Sequence, residues 1–204
     1  MDNEITIATR FGGYLPIVID IETAGFNPIK DALLEIAAVF IEINAEQQFV
    51  RGKTIAHHVL PFPKANLDPA ALKFTGIDPY HPFRFAVTEK VALNELFTQV
   101  RTQLKKTSCR RAVLVGHNAA FDLSFINAAI QREKLKHTPF HRFTTFDTAT
   151  LGALAVGETV LAKAVAAAGL EFDAGQAHSA IYDAEITADL FCYILNRWHL
   201  LTQT

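Results

Sequence analysis

Runs of β-branched and other apolar residues predict five strands in this chain. The most apolar run, at residues 16–23, contains Ile17, Val18, Ile19 and Ile21, which favour a buried strand. Short turns separate the first three runs, and this spacing indicates an antiparallel meander. The predicted strands cover residues 16–23, 34–43, 54–59, 112–115 and 143–147.

Apolar residues at helical spacing predict five helices. The clearest helix carries an apolar stripe from Leu93 to Leu104, and Thr88 is a suitable N-cap for it. Gly76 and Gly169 are expected to end two other helices. Residues 1–15 are expected to be irregular. The predicted helices cover residues 69–75, 87–106, 119–135, 158–168 and 179–198.

The order of these elements predicts an α/β fold with a five-stranded mixed sheet flanked by helices. Three strands followed by helix, strand, helix, strand and helix resemble the order of the ribonuclease H-like fold. The chain has 204 residues, enough to bury a sizeable core, and it shows no internal repeat, low-complexity segment or composition break. We therefore expect residues 1–204 to form a single domain.

Two carboxylates interrupt the most apolar predicted strand. Asp20 and Glu22 are two residues apart, so their side chains point to the same face of the strand. Burying two like charges together is costly unless something compensates them. A divalent cation such as Mg²⁺ or Mn²⁺, which prefers oxygen ligands, would do so. The alternative is that the two acids lie on a solvated face by chance.

Two more acidic residues and a histidine stand at places where a site can form. Asp122 closely follows the predicted strand at 112–115, and Asp183 opens the last helix, with His178 five residues before it. Asn118 is suited to N-cap the helix that carries Asp122. Taken alone, Asp183 could instead be a first-turn acid favoured by the helix dipole, and His178 an ordinary loop histidine.

Together, these four acids and the histidine resemble the histidine-containing branch of the DEDD 3′-to-5′ exonucleases, and the likeness runs from about residue 10 to 198. The resemblance implies two Mg²⁺ ions per active site, with Mn²⁺ as a substitute. Asp20 would bridge them, Glu22 and Asp183 would complete the site that activates water, and Asp122 would hold the second ion. His178 would act as general base, a task that suits histidine near neutral pH.

Within this branch the likeness is closest to RNA-trimming exoribonucleases. It implies a metal-dependent enzyme that trims the 3′ ends of structured RNAs, in tRNA end turnover and stable RNA maturation, and releases nucleoside 5′-monophosphates. Single-stranded DNA is a further expected substrate. Two alternatives remain: a 3′-to-5′ DNA proofreading or repair exonuclease, and a nucleic-acid-binding scaffold without catalysis.

The resemblance also implies residues that hold the substrate. Phe26, Phe74, Phe121 and Phe143 would stack on bases, although any one of the 16 phenylalanines could equally lie in the core. The family has a glutamate where this chain has Ala70, so discrimination of the terminal base can differ.

Four basic residues would grip the nucleic-acid backbone away from the active site: Arg10, Lys105, Arg111 and Lys136. In the family such a patch feeds the active site of the partner subunit, which implies a homodimer. Gly12 replaces a further arginine of the family. The alternative is an ordinary solvated face.

Composition adds few restrictions. Apolar residues make up 50% of the chain and the net charge is −2, a value that includes the candidate metal ligands and therefore does not argue against nucleic acid. Cys109 and Cys192 lack metal-ligand spacing and favour a reducing compartment. No signal peptide is evident, and charges at Glu158 and Lys163 interrupt the apolar stretch 152–170. We expect a cytoplasmic protein that does not enter a membrane.

Overall fold

The computed structural model describes residues 5–202, and its centre is a five-stranded sheet. The strands are β1 (Tyr14–Thr23), β2 (Leu33–Ile43), β3 (Phe49–His58), β4 (Arg111–Gly116) and β5 (Phe140–Asp147). They lie side by side in the order β3-β2-β1-β4-β5. The β1–β2 and β2–β3 pairs are antiparallel, whereas β1–β4 and β4–β5 are parallel. The predicted mixed sheet and the antiparallel meander are therefore confirmed.

The central strand β1 is covered on both faces. Ile17, Val18 and Ile19 are each at most 1% exposed, although neighbouring residues on a strand point to opposite faces. Layers of other elements on both sides of the sheet are needed to bury such a run. Asp20 is only partly buried, whereas Ile21 and Glu22 after it are buried again.

Within residues 5–202, seven α-helices surround the sheet. They are α1 (Ile7–Arg10), α2 (Pro69–Thr75), α3 (Glu89–Lys106), α4 (Ala120–Arg132), α5 (Thr148–Val156), α6 (Leu161–Ala167) and α7 (Ala180–Thr202). The longest, α7, packs along β1, β2 and β3, and α5 and α6 pack against it. The Phe191 ring of α7 stacks on Phe146 of β5 with 6.3 Å between centroids, while Phe97 of α3 contacts Phe140 at 6.1 Å.

Three of the four predicted helix caps are confirmed. The Thr88 hydroxyl accepts the N–H of Val91 at the start of α3. Gly76 and Gly169 follow α2 and α6 with φ of +70° and +74°, a left-handed conformation that glycine adopts at little cost. The predicted cap at Asn118 is wrong, because its own backbone is left-handed, with φ of +67°, and Ala119 is the capping residue of α4.

Three other predictions are wrong in part. Residues 1–15 were predicted to be irregular, but residues 7–10 form the helix α1 and β1 begins at residue 14. Residues 1–4 lie outside the described part of the chain. β3 and β5 begin earlier than predicted, at Phe49 and Phe140, because both are edge strands with mixed polar sequences. The helix α5 was not predicted, since its alanine-rich sequence carries little helical periodicity.

The apolar stretch Thr148–Ala167 could cross a membrane by length and composition alone. In the structure it is divided between α5 and α6, and the chain bends between them at Gly157, whose φ is +77°. Helices of nine and seven residues are each far shorter than the roughly 20 residues that a bilayer requires.

A buried ion pair joins α3 to α4. Glu89 is 2% exposed, and the Arg132 guanidinium donates to both of its carboxylate oxygens, at 2.9 and 2.7 Å. The same guanidinium lies 3.8 Å from the centroid of the Phe62 ring. Arg132 therefore serves the fold.

We predict that Arg132→Met lowers the free energy of unfolding by about 3–5 kcal/mol, because it leaves the buried Glu89 carboxylate unpaired. Urea denaturation would measure the loss. The double variant Glu89→Met/Arg132→Met should regain most of it, since no buried charge remains. A loss in the double variant as large as in the single one would show that Arg132 acts through packing alone.

Candidate active site

The first two site residues are set by the register of β1. Asp20 lies opposite Ala37 of β2, and Glu22 lies opposite Glu35. Ala37 is completely buried, so the side chain opposite Asp20 is small and apolar. The β1–β2 register shifts immediately after Glu22, so this face is at the end of the regular pairing.

Asp122 reaches the same place from the next parallel strand. β4 runs parallel to β1, so their carboxyl ends meet at one edge of the sheet, and Asp122 lies in the first turn of the helix that follows β4. Its carboxylate is 4% exposed and accepts a hydrogen bond from the backbone N–H of Ile21, between Asp20 and Glu22. Gly116 keeps this space open, because a Cβ there would lie 3.2 Å from the Asp122 carboxylate.

The amino end of α7 supplies the other two residues. The backbone N–H of His178 donates to the Asp183 carboxylate at 3.0 Å, and His178 has a left-handed φ of +67°. Carboxylate oxygens of Glu22 and Asp183 and a ring nitrogen of His178 all lie within 4.8 Å of one another. Two segments that are distant in sequence, the end of β1 and the start of α7, therefore meet at one point.

The carboxyls of the site hold their protons tightly. Burial raises the pKa of Asp20 well above its ordinary value, and the charges of Asp122, Asp183 and Glu22 raise it further. Burial also raises the pKa of Glu22 to about 7, with Asp183 adding to the effect.

Burial raises the pKa of Asp122 to about 8, although hydrogen bonds from its own N–H and that of Ile21 oppose the rise. The pKa of Asp183 is raised by burial, and the N–H of His178 works against that. These carboxyls resist ionisation because burial and the neighbouring negative charges oppose it, and a divalent metal ion, which prefers oxygen ligands, would compensate that charge. The residues present thus fit such an ion.

Three of the four predicted stacking rings are exposed, those of Phe26, Phe74 and Phe143. Phe26 and Phe74 are 86% and 67% exposed. The ring centroids of Phe26 and the half-buried Phe121 are 6.2 Å apart, and those of Phe74 and His178 are 4.3 Å apart. Phe143 is exposed on β5, and its ring centroid lies 4.7 Å from that of His141. The structure thus brings three of the four predicted stacking rings to the site residues or to each other.

The Phe26 ring is presented by a turn that Asp31 holds together. Asp31 is buried and accepts hydrogen bonds from the N–H of Asn27 and the amide of Asn66, both at 2.8 Å. Gly25 is required beside it, because a Cβ there would lie 2.1 Å from the Asp31 carboxylate. The exposed ring therefore projects from a fixed backbone.

The four predicted basic residues lie away from the carboxylates. Arg111 begins β4 and Lys136 precedes β5, so both are at the amino ends of these strands, opposite the site edge. Lys105 is exposed in the last turn of α3, which leads into β4. Arg10 ends α1, just before β1 begins.

Asp147 is a site neighbour that the sequence analysis missed. It ends β5, and its carboxylate accepts the N–H groups of Ala119 at 3.1 Å and Ala149 at 2.8 Å, so it ties the starts of α4 and α5 together. It also raises the pKa of Asp122. The signal was present, since an aspartate between a strand and a helix is a typical N-cap.

His117 has a structural role. Its two ring nitrogens lie 3.0 Å from the Thr148 hydroxyl and 2.7 Å from the Thr159 carbonyl oxygen. Both nitrogens are thereby engaged in fixing the segment around α5.

Known proteins resemble this chain in sequence and in fold. The RNase_T exonuclease family model matches residues 17–191. Ribonuclease T of Shewanella denitrificans is 56% identical over 192 residues, which cover 94% of this chain and 85% of the relative. Ribonuclease T of Vibrio vulnificus is 56% identical over 198 residues, covering 97% and 91% of the two chains.

Solved structures share the fold at lower identity. Exonuclease I of E. coli, in complex with a dT13 oligonucleotide, matches with a TM-score of 0.69 at 18% identity, over 93% of this chain and 43% of that one. A full-length 3′-exonuclease matches with a TM-score of 0.70 at 18% identity, over 91% and 84%. The fold is therefore the ribonuclease H-like fold of exonucleases. From the family match and the ribonuclease T relatives, the chain belongs to the ribonuclease T family of exonucleases and is a 3′-to-5′ exoribonuclease.

Proposed function

We propose that this exoribonuclease trims the 3′ ends of structured RNAs, including tRNA ends and precursors of stable RNAs, and releases nucleoside 5′-monophosphates. The observation that carries the proposal is the meeting of Glu22, His178 and Asp183 within 4.8 Å. Single-stranded DNA is proposed as a further substrate, supported by the fold shared with an exonuclease that binds dT13. We place the enzyme in the cytoplasm, which agrees with its free thiols at Cys109 and Cys192.

The residues that would hold metal ions are the four carboxylates. Asp20, Glu22 and Asp183 would share one Mg²⁺ or Mn²⁺ ion, and Asp20 and Asp122 a second. Two such ions, when bound, supply an activated water and neutralise charge on the scissile phosphate. The non-catalytic alternative is disfavoured because all four carboxylates are retained and converge.

His178 would take the proton of the attacking water. Its ring is exposed, and its backbone is fixed by the hydrogen bond to Asp183, so the ring is held beside the carboxylates. In this structure the ring packs on Phe74. A nucleobase that stacks on Phe74 would therefore lie next to His178, the proposed general base.

Aromatic rings would hold the last nucleotides without reading their identity. Stacking on a ring contributes about 1–3 kcal/mol per base and tolerates every base, as trimming of varied ends requires. Phe26, Phe74 and Phe121 are the proposed rings beside the carboxylates, and Phe143 would contact the strand further along.

A homodimer is part of the proposal. Arg10, Lys105, Arg111 and Lys136 lie toward the far end of the sheet, and the ten-residue strand β1 is about 33 Å long. They would therefore bind RNA that enters the active site of a second copy. A cleft of about 400 Å³ next to Arg10, lined by Leu151, Leu154 and Ile194, offers an apolar surface for that copy.

We predict that Asp20→Asn and Glu22→Gln each lower turnover of a 3′-labelled RNA by more than about 100-fold. Removing a residue that only orients a metal ligand already costs about 10–100-fold, and removing a ligand itself should cost more. Circular dichroism should show both variants folded. Glu46→Gln, in an exposed turn, is the matched control and should keep full activity. Substantial turnover by either site variant would refute the assignment of these carboxylates.

We predict that Mg²⁺ raises the melting temperature of the protein more at about pH 8 than at about pH 6, by at least about 3 °C. Carboxyls whose pKa rises on folding bind protons more tightly in the folded chain, so the metal-free protein loses stability as the pH rises from about 4 toward 8. Glu22 and Asp122, whose pKa values are about 7 and about 8, lose protons between about pH 6 and pH 8. A bound cation takes the place of these protons, so Mg²⁺ should stabilise the protein more at the higher pH.

Differential scanning calorimetry with and without Mg²⁺ would measure this difference. The Asp20→Asn variant should lose most of the stabilisation by Mg²⁺ at both pH values. An equal shift at both pH values in the unmodified protein would contradict the prediction.

We predict that Leu154→Glu converts a dimer into a monomer, because it places a charge in the apolar cleft, where Leu154 is now 76% exposed. Sedimentation velocity would measure the masses. Activity on single-stranded RNA should fall with dimerisation, while the melting temperature of the monomer should change little. A monomeric parent protein with full activity would exclude the dimer.

A further inference from the structure

An exposed aromatic loop lies between α2 and α3. In this loop, residues 80–85, the side chains of Tyr80, Phe83 and Phe85 are 68%, 77% and 81% exposed. The His81 ring contacts Phe83 with 5.6 Å between centroids. Single exposed aromatic residues are ordinary on a protein surface, but several within six residues form a patch of the kind that marks a binding site.

The aromatic loop is anchored by one buried arginine. The Arg84 side chain is 10% exposed, and its guanidinium donates to the carbonyl oxygens of Pro79 at 3.1 Å and Leu34 at 2.8 Å. It also lies 3.8 Å from the Glu35 carboxylate. The aromatic side chains therefore project from a backbone that is already fixed, which lowers the entropy lost when a ligand binds.

The anchor places the aromatic loop beside the active site. Glu35 is the cross-strand partner of Glu22, and cross-strand partners point to the same face of the sheet. His58 lies 2.9 Å from Glu35, and both line a small hollow with Ala180 and Ile181 at the start of α7. Glu35 thus connects Glu22 of the site with the anchor of the aromatic loop, and the hollow beside Glu35 runs along the start of α7.

We infer that the aromatic loop is a second base-stacking surface, which binds unpaired nucleobases upstream of the nucleotides at the active site. This inference rests on the proposed function. The loop contains no lysine, and its arginine is occupied within the fold, so its chemistry suits the flat faces of bases and not phosphates. Its continuity with the active-site surface fits a single strand that crosses both.

The test compares the unmodified protein with Phe83→Ala/Phe85→Ala on two RNAs, a dinucleotide and an oligoadenylate of about ten nucleotides. The double variant should lose about tenfold in kcat/KM on the oligoadenylate and keep its value on the dinucleotide, which ends before the loop. Phe83→Trp/Phe85→Trp should keep the rate on the oligoadenylate, because tryptophan also stacks on bases, whereas Phe83→Leu/Phe85→Leu should lose it.

Salt dependence provides a second readout. A stacking surface neutralises no phosphates, so the slope of log(kcat/KM) against log salt should be the same in the alanine variant and the unmodified protein. A flatter slope in the variant would show phosphate contacts and overturn the inference.

The remaining outcomes also decide the question. An unchanged oligoadenylate rate, an equal loss on both RNAs, or a changed sedimentation coefficient would each overturn a role in base stacking. On a third RNA, a hairpin with a short 3′ overhang, a loss that the oligoadenylate does not share would assign the loop to duplex ends and overturn the role with unpaired bases. Failure of the unmodified protein to cleave the dinucleotide and the oligoadenylate would instead count against the proposed function.

Discussion

Repulsion among carboxylates is the constraint on which this site depends. The parallel pairing of β1 and β4 delivers Asp20, Glu22 and Asp122 to one edge of the sheet, and α7 adds Asp183. Burial raises the pKa of each of them. The hydrophobic packing of β1 must therefore hold together a cluster that would otherwise push apart, and an arrangement of this cost suits a protein that binds cations there.

Two of the four site carboxylates are held by backbone groups. The N–H of Ile21 binds Asp122, and the N–H of His178 binds Asp183. Backbone donors bring no net charge, so they orient the carboxylates without neutralising them. A lysine or arginine in the same place would satisfy the oxygens and compete with a cation for them.

Local sequence patterns were sufficient for part of this arrangement. The β-branched run predicted β1, and the two-residue period placed Asp20 and Glu22 on one face. The convergence with Asp122 and Asp183 followed only from the family resemblance, since no local rule joins segments 100 or more residues apart. The pairing of Arg132 with Glu89 was missed for the same reason, because a basic residue on a helix carries no mark of a distant partner.

One carboxylate, that of Asp147, anchors two helix starts and also raises the pKa of Asp122. A neutral asparagine at this position would keep some of the anchoring but make Asp122 easier to ionise. The end of β5 is therefore coupled to the site in two ways, through the packing of the helices that follow β4 and β5 and through the charge that opposes ionisation of Asp122.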